Sequence, residues 1–442
     1  MDRRDFLRAS ALASAGLLLG PGARGQGVKA DGLPNLILIM ADDLGWGDLS
    51  CYGSHSIATP NLDRLAAEGA RLTNFFSSAP VCSPSRAGLL TGRYPPRTGI
   101  TQVLFPRKSV MDLALRAGGI PGGLPLDEVT LADLLKKRGY ATACIGKWHL
   151  GDRPEYRPLQ RGFDYYFGPL YSNDMEPFEL YRGNEVVEPA PADQDQLTQK
   201  YTSEALGFIE RSQPKPFFLY LPHTFPHRPL HASPAFRRSS EAGLYGDTVE
   251  EIDWSTGQIR QALGRFGLTE NTLILFTSDN GPWFQGSPGG YRGRKAETFD
   301  GGMRVPLIAR WPGRIPAGLV TDEMGMNIDL FTTLLAAAGA KPPSDRPIDG
   351  KDLLPLLAGQ GPSPHEALYF YQGAELQAIR VGQWKYHRRH RVLVLPFGKQ
   401  GPWLFNLEKD PNESYDCSQK YPDLAPKLEK MMQDWEAAFQ AR

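Results

Sequence analysis

A chain of 442 residues can bury a large core and fits one big domain with a smaller one beside it. Its 49 basic and 49 acidic residues cancel to a formal charge of zero, which removes the basic excess that nucleic-acid or membrane-surface binding draws on. With 47 glycines and 38 prolines the chain is rich in loops; of its four cysteines, setting Cys82 aside leaves Cys51, Cys144 and Cys417, an odd number from which no complete disulfide framework can be read, though export would permit one bridge.

The first predicted element is a targeting segment. Asp2-Arg3-Arg4-Asp5-Phe6-Leu7-Arg8 precedes a mild apolar run from Ala9 to Gly20 and a small-residue stretch ending near Ala30. Twin arginines before a short, weakly apolar core fit a Tat-type export signal over residues 1–30, so a periplasmic or secreted location is expected. The run is too short to span a bilayer comfortably, and no stable membrane anchor is expected.

Residues 36–40 form a continuous apolar run, the pattern of a strand buried on both faces, and lead into Asp42-Asp43-Leu44-Gly45-Trp46-Gly47-Asp48. A helical pattern covers 61–68. Next comes Cys82-Ser83-Pro84-Ser85-Arg86, continuing through Ala87 to Thr91-Gly92-Arg93. Pro84 suits a first helical turn, so Cys82 is expected at a helix N-terminus, where the positive helix end lowers a thiol pKa and attracts anions. A buried structural cysteine is the plainer reading.

After a helix at 129–137, the strand 141–145 runs into Gly146-Lys147-Trp148-His149-Leu150-Gly151, with Lys147 and His149 expected on one side of an extended segment. The strand 217–221 runs into Pro222-His223-Thr224-Phe225-Pro226-His227-Arg228-Pro229-Leu230-His231. The histidine spacing imitates a zinc-binding helix, but Pro226 and Pro229 forbid that helix and zinc is set aside. His223 and His231 read as loop or rim residues. A helix at 248–263 leads to the strand 273–276 and to Ser278-Asp279-Asn280-Gly281-Pro282. The basic loop 291–304 holds Arg292, Arg294 and Lys295, and is followed by a strand at 305–309 and a helix at 328–338.

Past Gly359-Gln360-Gly361-Pro362 the pattern shortens to strands at 368–371, 378–381, 383–386 and 403–407 and a last helix at 424–441. His387-Arg388-Arg389-His390-Arg391 reads as a solvated strand edge rather than a glycan-binding patch. Strands alternating with helices imply an α/β fold whose large mixed or mostly parallel sheet lies between helices. A small antiparallel sheet with one helix completes the expectation, with domains at 31–362 and 363–442.

In such sheets ligands gather at the carboxyl ends of the strands. Asp42, Asp43 and Asp279, with the amide oxygen of Asn280, offer hard oxygen ligands there, suited to Ca²⁺ or Mg²⁺. Taken singly, an Asp-Asp pair is more often a solvated turn; two such strand ends shift the balance to metal.

The pentad Cys82–Arg86 with its downstream T-G-R resembles the C-x-P-S-R signature of type I, formylglycine-dependent sulfatases of the arylsulfatase A kind. G-K-W-H-L-G resembles their second signature, while D-D-x-G-x-G-D and S-D-N-G resemble their calcium-binding segments. His227 falls on the family's P-H-x-P, Lys295 on G-K-x-x-x-x-[ED]-G-G-x-R, and Tyr171-Ser172-Asn173-Asp174 on a Y-S-x-D segment. The resemblance implies an alkaline-phosphatase-like sandwich that hydrolyses a sulfate monoester, from a sulfated carbohydrate or an aryl sulfate, to alcohol and sulfate. It implies that a maturation enzyme converts Cys82 to formylglycine, whose hydrate is the nucleophile. Ca²⁺, in preference to Mg²⁺, would be held by Asp42, Asp43, Asp279, Asn280 and the converted Cys82. Lys147, Lys295 and Ser172 would contact the substrate, and His227 would protonate the leaving group. Arg86 would position the nucleophile, and His149 would take the proton that lets sulfate depart. Loops 101–125 and 175–199 would shape the pocket. A phosphonate or phosphate ester hydrolase of the same superfamily is one alternative. A non-catalytic glycan-binding descendant is another, though binding alone has no need of the cysteine, both lysines and both histidines.

Overall fold

The computed structural model describes residues 32–390 and 400–440. The expected export segment and Arg391 lie outside them. The larger sheet has ten strands: β1 (Asn35–Ala41), β2 (Ala70–Phe76), β3 (Ala141–Ile145), β4 (Tyr165–Gly168), β5 (Leu180–Arg182), β6 (Glu185–Glu188), β7 (Phe217–Pro222), β8 (Thr272–Ser278), β9 (Leu307–Arg310) and β10 (Leu319–Met326). Their order is β10-β2-β9-β8-β1-β7-β3-β4-β5-β6. The centre, β8-β1-β7-β3-β4, is parallel; β9 and the β5-β6 end are antiparallel.

The apolar run of β1 has a direct cause. Leu36, Leu38 and Met40 enter one hydrophobic cluster, and Ile37, Ile39 and Ala41 the cluster on the opposite face. A strand with helices on both sides has no solvent face to make polar. On the first face lie the helices Cys82–Thr91, Leu131–Lys137 and Asp329–Ala337; on the second lie Pro60–Ala67, Leu197–Ser212 and Gly243–Arg265. β9 begins at Leu307, one residue past Pro306, because proline cannot donate to the ladder. The stretch 101–125, expected as loop, contains the helix Val110–Ala117, whose first turn is capped by Ser109 Oγ accepting from Asp112 N.

The second sheet is antiparallel, β11 (Leu368–Gln372), β12 (Glu375–Val381), β13 (Trp384–His387) and β14 (Trp403–Asn406), with the helix Leu424–Gln440. Phe370, Ile379, Leu404 and Met432 share one apolar cluster with Phe76, Met303 and Met326. The basic run is not a solvated edge. His387 pairs with Ala378 on one side and Trp403 on the other, so β13 is interior. Arg388 binds Glu429 and Glu436, Arg389 binds Glu375, and His390 stands 3.5 Å from Glu297. Its described residues, His387 to His390, are spent on neighbouring carboxylates. All four cysteines are unbridged, and among the described residues no helix is long and apolar enough to cross a membrane.

Candidate active site

Four parallel strands deliver the site. β1 ends at Ala41 and hands on Asp42 and Asp43; β8 ends at Ser278 and hands on Asp279 and Asn280. β3 supplies Lys147 and β7 the loop to His227. Gly146 makes the turn at the end of β3 possible: its φ is +126°, and a Cβ there would stand 1.9 Å from the carbonyl oxygen of Pro222. His149 follows in a left-handed conformation (φ +61°), so Lys147 and His149 do not lie along one extended segment.

Cys82 opens the helix Cys82–Thr91 and is 1% exposed. Its Sγ donates to Asp42 Oδ1 at 3.5 Å. The expectation of a lowered thiol pKa fails. Burial drives the thiol upward; Lys147 and Lys295 pull it back only in part, and Asp42 and Asp279 add to the rise. Desolvation outweighs the helix end. Arg86, one turn along, is wholly buried and donates through Nε and NH2 to Asp279 Oδ2 at 3.0 and 2.9 Å. Its NH1 donates to Lys147 O at 2.7 Å, and Asp42 lies 3.5 Å from NH2.

The two lysines enter from different elements. Lys147 Nζ pairs with Asp42 and donates to Ser172 Oγ at 3.1 Å. Lys295 Nζ donates to Asp43 Oδ2 at 2.8 Å. Burial opposes the Asp42 carboxylate, but Lys147 and Arg86 more than offset it and hold its pKa well below the ordinary range. Asp279 goes the other way: burial and Asp42 outweigh Arg86 and push it up to about 7. Burial also opposes the Lys295 ammonium, and Asp43 above all reverses the balance and raises its pKa.

His227 Nε2 lies 3.7 Å from Asp43 Oδ2, while Nδ1 faces Asn173 Oδ1 at 3.1 Å and Arg228 O at 2.6 Å. Both are acceptors, so Nδ1 carries the hydrogen and Nε2 is bare in the neutral ring. Burial and Lys295 lower its pKa. Ser172 Oγ is 3.3 Å from His227 Nδ1, joining the histidine to Lys147. Asn173, whose Nδ2 also donates to Pro229 O and Gln194 Oε1, was missed by sequence reasoning. Its only signal was its place beside Ser172. His149 stands one step back. Nε2 is 3.0 Å from Leu104 O, and Leu104 N donates to Ser83 Oγ, next to Cys82. Its Nδ1 is buried without a hydrogen-bond partner, and burial, Lys147 and Arg86 hold its pKa well down. His223 is no rim residue: it is 0% exposed, and burial lowers it to about 3. His231 sits outside, 2.9 Å from Asp195.

The loop bearing Lys295 is held from the second sheet. Asp300 N donates to Glu413 Oε2 at 2.6 Å, and Lys385 Nζ reaches Asp300 Oδ1, Glu413 Oε1 and Thr298 O at 2.6, 2.9 and 3.0 Å. Arg304 NH2 donates to Asp300 Oδ2 at 2.7 Å, and His387 Nε2 is 3.0 Å from Glu413 Oε1. Arg292 is spent on Glu413 O and Arg294 on Trp283 O and Gly286 O, which leaves Lys295 as the loop's cation facing the site.

The donor set suits a hard divalent cation. Ligand atoms of Asp42, Cys82 and Asp279 lie within 4.8 Å of one another, as do those of Asp43, Cys82 and His227. Asn280 Oδ1 is buried with no partner while its Nδ2 donates to Asp43 Oδ1, so a hard oxygen donor is left over at that point. Arg86, Lys147 and Lys295, gathered over these carboxylates, also suit a tetrahedral anion.

Comparison with known proteins finds sulfatases over most of the chain. The sulfatase family profile matches residues 34–340, and the C-terminal profile of N-sulphoglucosamine sulphohydrolase matches residues 294–438. The chain is 46% identical to N-acetylgalactosamine-6-sulfatase of Canis lupus familiaris, over 84% of this chain and 75% of that protein. It is 36% identical to steryl-sulfatase of Homo sapiens, over 86% and 83%. The crystal structure of PsFucS1 sulfatase from Pseudoalteromonas sp. superposes with a TM-score of 0.81 at 31% identity, over 92% and 91%.

Proposed function

Because the chain belongs to the formylglycine-dependent sulfatase family and is a sulfatase, we propose that it hydrolyses the sulfate monoester of a sulfated carbohydrate, through a converted Cys82 and a bound Ca²⁺. One observation carries the reading: Lys147 and Lys295, from separate elements, meet beside Cys82 over a row of carboxylates. The raised thiol pKa agrees with Cys82 as a precursor, since a buried neutral thiol is a poor nucleophile. Formylglycine at position 82 would supply an oxygen nucleophile and a second hydroxyl for sulfate release. A divalent cation held by Asp42, Asp43, Asp279 and Asn280 would supply Lewis acidity.

The remaining roles belong to the chain itself. Lys147 and Lys295 bind the sulfate oxygens and stabilise the charge that gathers on them in the transition state. Arg86, fixed by Asp279 and Lys147 O, holds position 82 in place. His227 is backed at Nδ1 by Asn173, so Nε2 faces the leaving oxygen; the incoming negative ester raises its pKa and loads Nε2 with the proton it gives up. His149, neutral and with Nε2–H committed to Leu104 O, keeps Nδ1 free to accept a proton. Export through residues 1–30 is part of the same reading, as is a catalytic part at 31–362 with a smaller part at 363–442.

The test is to produce the chain with a formylglycine-generating enzyme, read position 82 by mass spectrometry, and assay matched sulfate and phosphate esters of one sugar. An aldehyde at 82 and preference for the sulfate ester are expected, with Cys82→Ala reducing turnover at least about 1,000-fold. Preference for the phosphate ester, or full activity in Cys82→Ala, overturns the reading.

A further inference from the structure

Beyond Asn280 the chain passes through Gly281 and Pro282 and then sets two large rings in solvent: Trp283 is 37% exposed and Phe284 70%. The rings stand edge to face with centroids 4.9 Å apart. The backbone that carries them is tied down. Arg294 NH1 donates to Trp283 O at 2.8 Å and Gly286 O at 2.6 Å, with its guanidinium 5.7 Å from the Phe284 ring. Lys295 N donates to Pro282 O at 3.0 Å, so the strap carrying the rings is tied to the lysine that faces the site. Three trans peptide units keep the Cα of Trp283 within ~11 Å of that of Asn280.

We propose that Trp283 and Phe284 are the platform for the organic part of the substrate, and that this part is a hexopyranose ring. The proposal rests on the sulfate-ester reading above. Lys147 is buried and Lys295 is 13% exposed, so a sulfate held between them sends the rest of its ester outward past the rim. On the Lys295 side the strap bearing the aromatic pair is tied to that lysine's own backbone. A pyranose offers a face of C–H groups, electropositive at its edge, to the negative face of an aromatic ring, and directs its hydroxyls sideways. The surroundings match: Gln285 and Ser287 are exposed beside the rings, and Arg294 lies beneath them. A sterol needs a continuous apolar wall, whereas Gln285 and Ser287, which follow the rings in the exposed strap, are polar.

The measurement is the ratio of kcat/KM for a sulfated N-acetylhexosamine to that for methyl sulfate, which is too small to reach the rings. Trp283→Ala is expected to lower this ratio about three- to tenfold, and Trp283→Phe to restore most of it. An unchanged ratio overturns the proposal, as does a loss confined to a steryl sulfate. Equilibrium dialysis of the sulfated hexosamine against wild type and Trp283→Ala scores the platform independently of turnover. Weaker binding by the variant supports it even if no sulfate ester is cleaved, in which case only the hydrolytic reading falls; equal binding overturns it.

Discussion

The molecule buries two clusters of lysine, arginine and carboxylate, and they are built to different ends. Around Asp300 and Glu413 each carboxylate oxygen has its own donor: Lys385, Arg304, His387 or a backbone N–H. Burial opposes the Asp300 charge, but Lys385 and Arg304 outweigh it and its pKa falls well below the ordinary range. At the strand ends the same residue types leave a remainder. Lys147 serves Asp42, Arg86 holds Asp279 by one oxygen only and leaves it near 7, and Asn280 Oδ1 has no partner. A saturated network fixes a shape; an unsaturated one is completed by what binds to it.

The contrast is sharpest between two lysines. Lys385→Met strips the saturated network of its cation and leaves two buried carboxylates short of charge. It is expected to cost about 3–5 kcal/mol of unfolding free energy in a urea titration. Lys295→Ala, with divalent cation present, should change stability by about 1 kcal/mol or less while kcat/KM for a sulfate ester falls about 100- to 1,000-fold. Equal stability losses would erase the distinction. Next in size is the cation itself. Chelation should remove about 2.7 kcal/mol relative to an ion supplied at a hundred times its Kd, seen as a lower Tm, and the shift should survive in Lys385→Met.

A buried carboxylate outside both clusters serves as a control without any cation. Asp253 accepts from Asn61 N and Leu62 N at the start of the helix Pro60–Ala67, and burial pushes its pKa up to about 6. The folded state therefore keeps a proton that the unfolded chain has already lost above pH 4. Its contribution to stability falls as pH rises from about 4 to 6 and is flat beyond. Relative to Asp253→Asn, wild type should lose about 1.5–2 kcal/mol between pH 4.5 and 6.5, read by urea unfolding at those two values.

The sheet centre was legible because β1, β7 and β8 are buried on both faces and must be apolar throughout. The site motifs were legible because they follow those strands directly. β2 was not, since Arg71, Thr73 and Asn74 interrupt its pattern. The failures at Cys82 and His223 share a cause: a helix end and a loop proline are local, whereas desolvation comes from everything that folds over them. The basic run after Tyr386 misled for the same reason. Its charges are visible in sequence, but Glu375, Glu429 and Glu436 become its partners only in the fold.

Glu413 carries one more consequence, for the order in which the protein is made. Every residue proposed for the site, from Asp42 to Lys295, leaves the ribosome before Glu413 does. Yet the loop that presents Lys295 is clamped through Asp300 N and Arg292 to Glu413. A chain stopped before Glu413 carries every one of those groups and lacks the clamp on the loop of the second lysine.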